Sequence, residues 1–226
     1  MNELKNGPKY EPKHGPEHGP ERGPKRGRGR PRKLECRETL LEAGRDLLLS
    51  HGLRMTVDAV ALRAKVAKTT FYTWFQDKEA FIEAVMLRES ARTMSDEEYR
   101  AAIGGDLREV LVGFGVRYLS FANENRLAAW DRVITSANDI YPELAARLYE
   151  AGPGRVYTML AEILRQAAQG GTLDIPDPMA AAEELAGIWY GHTILRVNLK
   201  IRCPLSAGEI RQRAERGVDL LYRLYG

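Results

Sequence analysis

From Lys33 to its C-terminus, the chain carries apolar residues at the three-to-four spacing of α-helices. The first stripe consists of Leu40, Leu41, Leu47 and Leu48. It stops at Gly52, where glycine suits the left-handed residue that ends a helix. Later stripes begin after capping residues, such as Asp177, which precedes a proline, and Ser206, which opens a capping box with Glu209. Because no segment of the second half alternates like a strand, we expect an all-α fold of about nine helices.

The first 33 residues differ in composition from the rest. They hold ten Lys/Arg and four Glu, a net charge of +6, whereas residues 34–226 hold 24 Lys/Arg and 27 Asp/Glu, a net charge of −3. Prolines recur every four residues from Pro8 to Pro24 among glycines and charged residues. Such a segment cannot bury enough apolar surface to offset the entropy lost on ordering. We therefore expect residues 1–33 to be a disordered basic tether that meets a polyanion.

The end of this arm, Arg28-Gly29-Arg30-Pro31, resembles the core of an AT-hook. Glycine would let the backbone enter a narrow A·T minor groove, where the guanidiniums of Arg28 and Arg30 would meet an enhanced negative potential. The alternative is a generic basic run that binds phosphates. His14 and His18 are too few for a metal site on a mobile segment, and we expect no cofactor.

Two short helices are predicted after the first one. Thr56 can cap the earlier of the two, whose small apolar face ends near Ala64. The later one begins at Lys68, with Phe71 and Phe75 pointing inward and the polar side chains between them pointing outward. A short helix that exposes a lysine, hydroxyls and a tyrosine suits the major groove of DNA. Two such helices after a stabilising helix define a helix-turn-helix.

The stretch HGLRMTVDAVALRAKVAKTTFYTWFQDKEAFIEAVM resembles the DNA-binding region of the TetR family of bacterial transcriptional regulators. The resemblance implies a helix-turn-helix domain over residues 34–80 and a helical effector-binding and dimerisation domain over residues 81–226. Both would bind partners: the first double-stranded DNA, and the second a small molecule and another copy of the chain.

The resemblance also assigns DNA contacts to individual residues. Lys68 and Thr69 would face base edges. Thr70 and Tyr72 would contact phosphate or a thymine methyl, with simple core packing as the alternative for Tyr72. Lys78, at the start of the next helix, would bind phosphate.

Four further positions near the turn affect this interpretation. Thr56 would meet the DNA backbone at the start of the second helix. Trp74 stands where the family usually has His or Tyr, and its indole would either donate to a phosphate or seal the domain. The usual glycine of the turn is Lys65, which must adopt a positive φ at a cost of about 1–2 kcal/mol or force a different turn. The usual serine before the third helix is Ala67, which forfeits roughly 1 kcal/mol of capping.

The second half, including ITSANDIYPELAARLYEAGPGRVYTMLAEILRQAAQGG, resembles the C-terminal domain of the AcrR/AefR-like branch of the family. Because the family dimerises through its last two long helices, the resemblance implies a homodimer. Gly187 and Gly191 lie one turn apart and suit either that contact or an intramolecular one. Several polar and aromatic residues are candidates to line an effector cavity, although each also suits the core or an interface. They are Arg117, Tyr118, Trp130, Asp131, Tyr157 and Trp189.

These features predict a homodimeric transcriptional regulator, a repressor that leaves its operator when a small molecule binds. The alternative is an architectural DNA-binding protein without an effector. An enzyme lacks support, since the sequence has no Gly-rich phosphate loop, metal-spaced Cys/His cluster or nucleophile elbow. No apolar stretch is long enough to cross a bilayer, no signal-peptide core is present, and Cys36 and Cys203 are too few for a disulfide scaffold. We therefore expect a cytoplasmic protein with free thiols and no membrane partner.

Overall fold

The computed structural model describes residues 30–124, 126–139 and 141–226. Within these ranges the chain forms eleven α-helices and no strand, which confirms the all-α prediction. None of these helices is long and apolar enough to cross a membrane. The proline repeats of the arm and Arg28 lie outside the described ranges. The first helix begins at Arg30, inside the arm that we expected to be disordered throughout, because a proline such as Pro31 is tolerated in the first turn of a helix.

The helices are numbered in chain order. They are α1 (Arg30–His51), α2 (Val57–Ala64), α3 (Lys68–Trp74), α4 (Lys78–Ser90), α5 (Asp96–Ala102), α6 (Leu107–Asn123), α7 (Arg126–Asn138), α8 (Pro142–Tyr149), α9 (Arg155–Gln169), α10 (Pro178–Asn198) and α11 (Ala207–Tyr225). A 3₁₀ turn (Gly52–Arg54) joins α1 to α2, and a π-helical turn (Glu150–Gly154) joins α8 to α9.

The helix count exceeds the expected nine partly because one long predicted helix is divided. Asp77 as a cap and the helical spacing of Phe81, Val85 and Arg88 predict a single helix that continues toward Gly104. Instead, α4 ends at Ser90 and α5 starts after Ser95. The hydroxyl of Ser95 accepts a hydrogen bond from the Glu98 N–H at 3.1 Å, and the Glu98 carboxylate accepts one from the Ser95 N–H at 2.8 Å. This capping box satisfies a new helix N-terminus and so favours the break.

The turn between α2 and α3 has the unusual backbone that its sequence predicts. Thr56 caps α2, since its hydroxyl accepts a hydrogen bond from the Ala59 N–H at 3.2 Å. Lys65 ends α2 in the left-handed region with φ 56° and ψ 41°, so of the two alternatives for this residue the structure has the positive φ. Ala67 begins α3 without a side-chain cap. The helix-turn-helix therefore forms without the two residues that usually favour its turn.

Buried apolar side chains form two clusters, and the N-terminal one combines helices that are distant in the sequence. The N-terminal cluster includes Leu40, Phe71 and Phe81 from the first four helices, together with Trp130 and Leu148 from α7 and α8. The C-terminal cluster is built from α6, α9, α10 and α11. Residues of α7 and α8 thus pack with the first four helices.

Helix α10 is kinked at Gly191, whose φ of 46° and ψ of −172° are not helical. The guanidinium of Arg213 from α11 donates hydrogen bonds to the carbonyls of Ile188, Trp189 and Tyr190, just before the kink. Glycine is required here because side chains rarely adopt this backbone conformation. Arg213 therefore holds the last two helices together at the kink.

Candidate functional site

The outer face of α3 is polar and accessible. Lys68 and Thr69 are exposed, Thr70 is half-buried, and Tyr72 keeps 51% of its surface accessible. Phe71, on the inner face, is fully buried, and the Tyr72 ring meets it edge-on with the ring centroids 5.3 Å apart. Tyr72 therefore packs on the edge of the core while about half of its surface stays accessible.

An ion pair joins the two helices of the helix-turn-helix. Nζ of Lys68 lies 2.9 Å from Oδ1 of Asp58 in α2. The hydrogen bond to this carboxylate raises the pKa of Lys68. Because both side chains are exposed, the pair contributes little to stability. Any acceptor on DNA would have to compete with Asp58 for the Lys68 ammonium group.

Three other predicted contact residues also serve the fold. Nζ of Lys78, at the first position of α4, donates a hydrogen bond to the carbonyl of Leu53 at 2.6 Å. Thr56 uses its hydroxyl as the α2 cap. Trp74 is half-buried and packs against the N-terminal cluster, which agrees with the sealing role rather than with a fully exposed donor.

A cavity of about 510 Å³ lies where the N-terminal and C-terminal clusters meet. This volume is typical of small-molecule sites. Met86 and Trp130 reach the cavity from the N-terminal cluster, and Tyr118 reaches it from the C-terminal cluster. Of the residues that the sequence suggested, Tyr118, Trp130, Asp131 and Tyr157 line the cavity. The structure thus brings four of six candidates together.

Arg117 and Trp189, the other two candidates, do not line this cavity. Trp189 is fully buried, and its indole N–H donates to a backbone carbonyl of α11 at 3.1 Å. Its ring packs against Gly115 and Gly217, where an added Cβ would lie within 2.7 Å of the indole. Nε of Arg117 donates to the carbonyl of Thr93 at 2.9 Å, and its side chain borders a separate groove. Successive residues point to different faces of a helix, so Arg117 points to the separate groove while its neighbour Tyr118 points to the cavity.

Glu89 is a cavity residue that the sequence did not single out. Its side chain is 1% exposed, and Oε1 accepts a hydrogen bond from Arg88 at 2.7 Å. Oε2 lies 3.6 Å from Arg92 and 3.7 Å from Arg126, yet within the described residues it accepts no hydrogen bond. Burial raises the pKa of Glu89, although the guanidiniums of Arg92, Arg88 and Arg45 oppose the shift. The one available signal was its position three residues after Met86, on the apolar side of α4, where an acid is unusual.

An exposed recognition helix in a helix-turn-helix, followed by a helical region that holds a cavity, defines a DNA-binding regulator. Residues 40–85 match the family described as bacterial regulatory proteins, tetR family. Residues 109–226 match the AefR-like transcriptional repressor, C-terminal domain. The chain belongs to the TetR family, with an AefR-like C-terminal domain, and is a DNA-binding transcriptional regulator rather than an enzyme.

Individual relatives agree with this assignment. The uncharacterised HTH-type transcriptional regulator YdeS of Bacillus subtilis (strain 168) is 48% identical over 56 residues, which are 24% of this chain and 28% of that protein. The chain therefore matches less than a third of the length of this curated relative.

Solved structures of similar fold cover most of the chain. The flavonoid-responsive regulator FrrA is 26% identical, with a TM-score of 0.64 over 85% of this chain and 97% of that one. A TetR-family regulator from Mesorhizobium loti MAFF303099 is 22% identical, with a TM-score of 0.69 over 86% and 98%. The fatty acid degradation regulator FadR from Bacillus halodurans is 18% identical, with a TM-score of 0.62 over 83% and 94%. The last two show the shared fold alone.

Proposed function

We propose that the protein is a homodimeric repressor that leaves its operator when a small molecule enters the cavity between the two clusters. The observation that carries this proposal is the position of the cavity. Met86, Glu89 and Ser90 of α4 line it, and α4 begins four residues after α3 ends. A ligand that binds better to one placement of α4 than to another would shift the population of DNA-competent dimers.

Direct contacts support a route from the cavity to α4. Gly152 of the π-helical turn borders the cavity and packs so closely on Met86 that an added Cβ would lie 2.8 Å from the Met86 sulfur. The hydroxyl of Ser90 donates to the carbonyl of Ala151 in the same turn at 2.9 Å. The π-helical turn therefore contacts α4 tightly at two points beside the cavity, and a ligand that separates the turn from α4 would move this helix.

We propose that a second copy of the chain covers the apolar surface on the last two helices. Leu195 and Leu199 of α10 are 42% and 60% exposed, and Leu224 of α11 is 63% exposed. Leu195 and Leu199 lie one turn apart at the end of α10, whereas Leu224 lies beside Gly187 and Ile188 of the same helix. Exposed apolar side chains on both helices favour an interface. Sedimentation should detect a dimer at micromolar concentration, and Leu195→Glu with Leu224→Glu should give a folded monomer. A monomeric wild-type protein would contradict the proposal.

We propose that the exposed residues of α3, together with Thr56 and Lys78, contact DNA. Selection from a randomised duplex library with the full chain should recover a palindrome, because a symmetric dimer with two recognition helices about 34–36 Å apart reads two half-sites. Tyr72→Ala and Lys68→Ala should weaken binding to the selected duplex and leave the circular dichroism spectrum unchanged. Recovery of A·T-rich DNA without a dyad would instead support the architectural alternative.

We propose that the basic arm strengthens this binding, with Arg28 and Arg30 entering an A·T minor groove next to the operator. Deletion of residues 1–33 should then reduce affinity more for operators with A·T flanks than for those with G·C flanks. Arg28→Ala with Arg30→Ala should reproduce this difference at several salt concentrations. Equal losses on both flanks would leave the arm as a polycation without minor-groove preference.

A further inference from the structure

All charged residues that line the cavity, within the described part of the chain, are acids: Glu89, Asp131 and Glu183. The guanidiniums of Arg88, Arg92 and Arg126 lie within 4 Å of Glu89, but none of them belongs to the lining. A ligand in the cavity would therefore face carboxylates directly and meet basic groups only behind Glu89.

Asp131 is the carboxylate best placed to act on a ligand. It is exposed and lines the cavity, and desolvation by the protein around it raises the pKa of Asp131. Only the neighbouring Arg132 opposes the shift. A positive charge in the cavity would compensate for the lost hydration of Asp131.

Aromatic rings form much of the remaining lining. Tyr118, Tyr157 and Tyr190 lie on the side of the C-terminal cluster, and Trp130 lies opposite. Faces of tyrosine and tryptophan rings attract cations electrostatically, most strongly when the site is desolvated. The lining thus offers apolar surface and negative potential together.

Two buried polar atoms on the lining make no hydrogen bond among the described residues. They are Oε2 of Glu89 and Nε1 of Trp130, whose side chains are 1% and 2% exposed. Buried polar groups are nearly always hydrogen-bonded, so each atom is available to a polar group of a ligand. Oε2 would accept from an N–H, and Nε1 would donate to an oxygen.

We propose that the cavity binds a lipophilic organic cation, whose charge lies near Asp131 and Glu89 and whose apolar body packs among the aromatic rings. A carboxylate ligand would instead bring its negative charge against these acids. The consequence for DNA release rests on the proposed function, whereas the binding preference itself stands on the lining alone.

The test uses two probes of the same shape and opposite charge, tetraphenylphosphonium and tetraphenylborate. Calorimetric titration of the full-length protein without DNA should give about tenfold or more tighter binding of tetraphenylphosphonium. Asp131→Asn should weaken tetraphenylphosphonium binding by about tenfold and leave tetraphenylborate binding unweakened. Asp139→Asn, the same change at an exposed position outside the lining, should alter neither.

Three results would overturn the inference: tetraphenylborate binding at least as tightly as tetraphenylphosphonium, equal effects of Asp131→Asn and Asp139→Asn, or no binding of either probe. Fluorescence anisotropy of the labelled selected duplex then measures DNA release and so tests the proposed function separately. Binding of tetraphenylphosphonium that depends on Asp131 without DNA release would support the cation site and contradict release by this cavity. DNA release by tetraphenylborate alone would contradict the cation site and support effector control.

Discussion

Replacing Lys65 by glycine should stabilise the helix-turn-helix. Lys65 has φ 56° and ψ 41°, and its N–H donates to the carbonyl of Leu62 at 3.1 Å, while the Val66 N–H donates to that of Ala61 at 3.0 Å. These bonds close the end of α2 and keep the residue left-handed. For a residue with a Cβ this conformation costs about 1–2 kcal/mol, which glycine avoids.

The expected gain is smaller than the relieved strain. Glycine also raises the entropy of the unfolded chain, which reduces the gain in stability by about 0.4–1 kcal/mol. The Lys65 side chain is exposed, so its removal should cost little packing. We expect a net stabilisation of about 0.5–1 kcal/mol, which for a protein of this size corresponds to a rise in Tm of about 1–4 °C.

Thermal unfolding should be compared at one protein concentration, because the stability of a dimer depends on concentration. Lys65→Ala is the matched control, since it removes the same charge and keeps the Cβ. Lys200→Gly should also raise the Tm, because Lys200 is the other described non-glycine residue with a positive φ, 59°. If Lys65→Ala raised the Tm as much as Lys65→Gly, the gain would come from the lost charge and the backbone argument would be refuted.

Two further predictions concern single residues with defined contacts. Lys78→Ala should reduce the salt dependence of operator binding by about one counterion per subunit. It should also lower the free energy of unfolding by about 1 kcal/mol, because the Leu53 carbonyl loses its donor. Lower stability with an unchanged salt slope would assign Lys78 to the fold alone. Gly191→Ala should destabilise the protein by about 1–3 kcal/mol in urea unfolding, because φ is 46° and the new Cβ would lie 2.5 Å from Arg213. Gly187→Ala, whose Cβ meets nothing within 4 Å, should not destabilise it, and equal losses at both positions would count against backbone strain.

Local features of the fold were predictable because each depends on a few neighbouring residues. Thr56 could be recognised as a cap from its position before an apolar stripe, and the cost of placing Lys65 and Ala67 at the turn followed from backbone sterics. The outward face of α3 followed from the inward spacing of Phe71 and Phe75. The break between α4 and α5 could also have been read from Ser95 and Glu98, which form a capping box in the sequence itself.

The cavity was harder to predict because it depends on how distant helices pack. Helical spacing does not distinguish Tyr118, which lines the cavity, from Trp189, which fills the core of the same half. Trp189 is buried because glycines on two other helices make room for its ring, and that match is visible only after folding. Glu89 was missed for a related reason, since Arg126, one of its ion-pair partners, lies on another helix.

The location of the cavity decides which ligands could control DNA binding under the proposed mechanism. A ligand that binds two states equally shifts nothing, however tightly it binds. Contacts with Tyr118 and Val156 alone would leave a ligand within the C-terminal cluster, where its affinity need not change as α4 moves. Contacts that also reach Met86 and Trp130 span both clusters, so their geometry must change when one cluster moves against the other. Regulation should therefore require a ligand long enough to bridge the cavity, and a short cation held only by Asp131 should bind without releasing DNA.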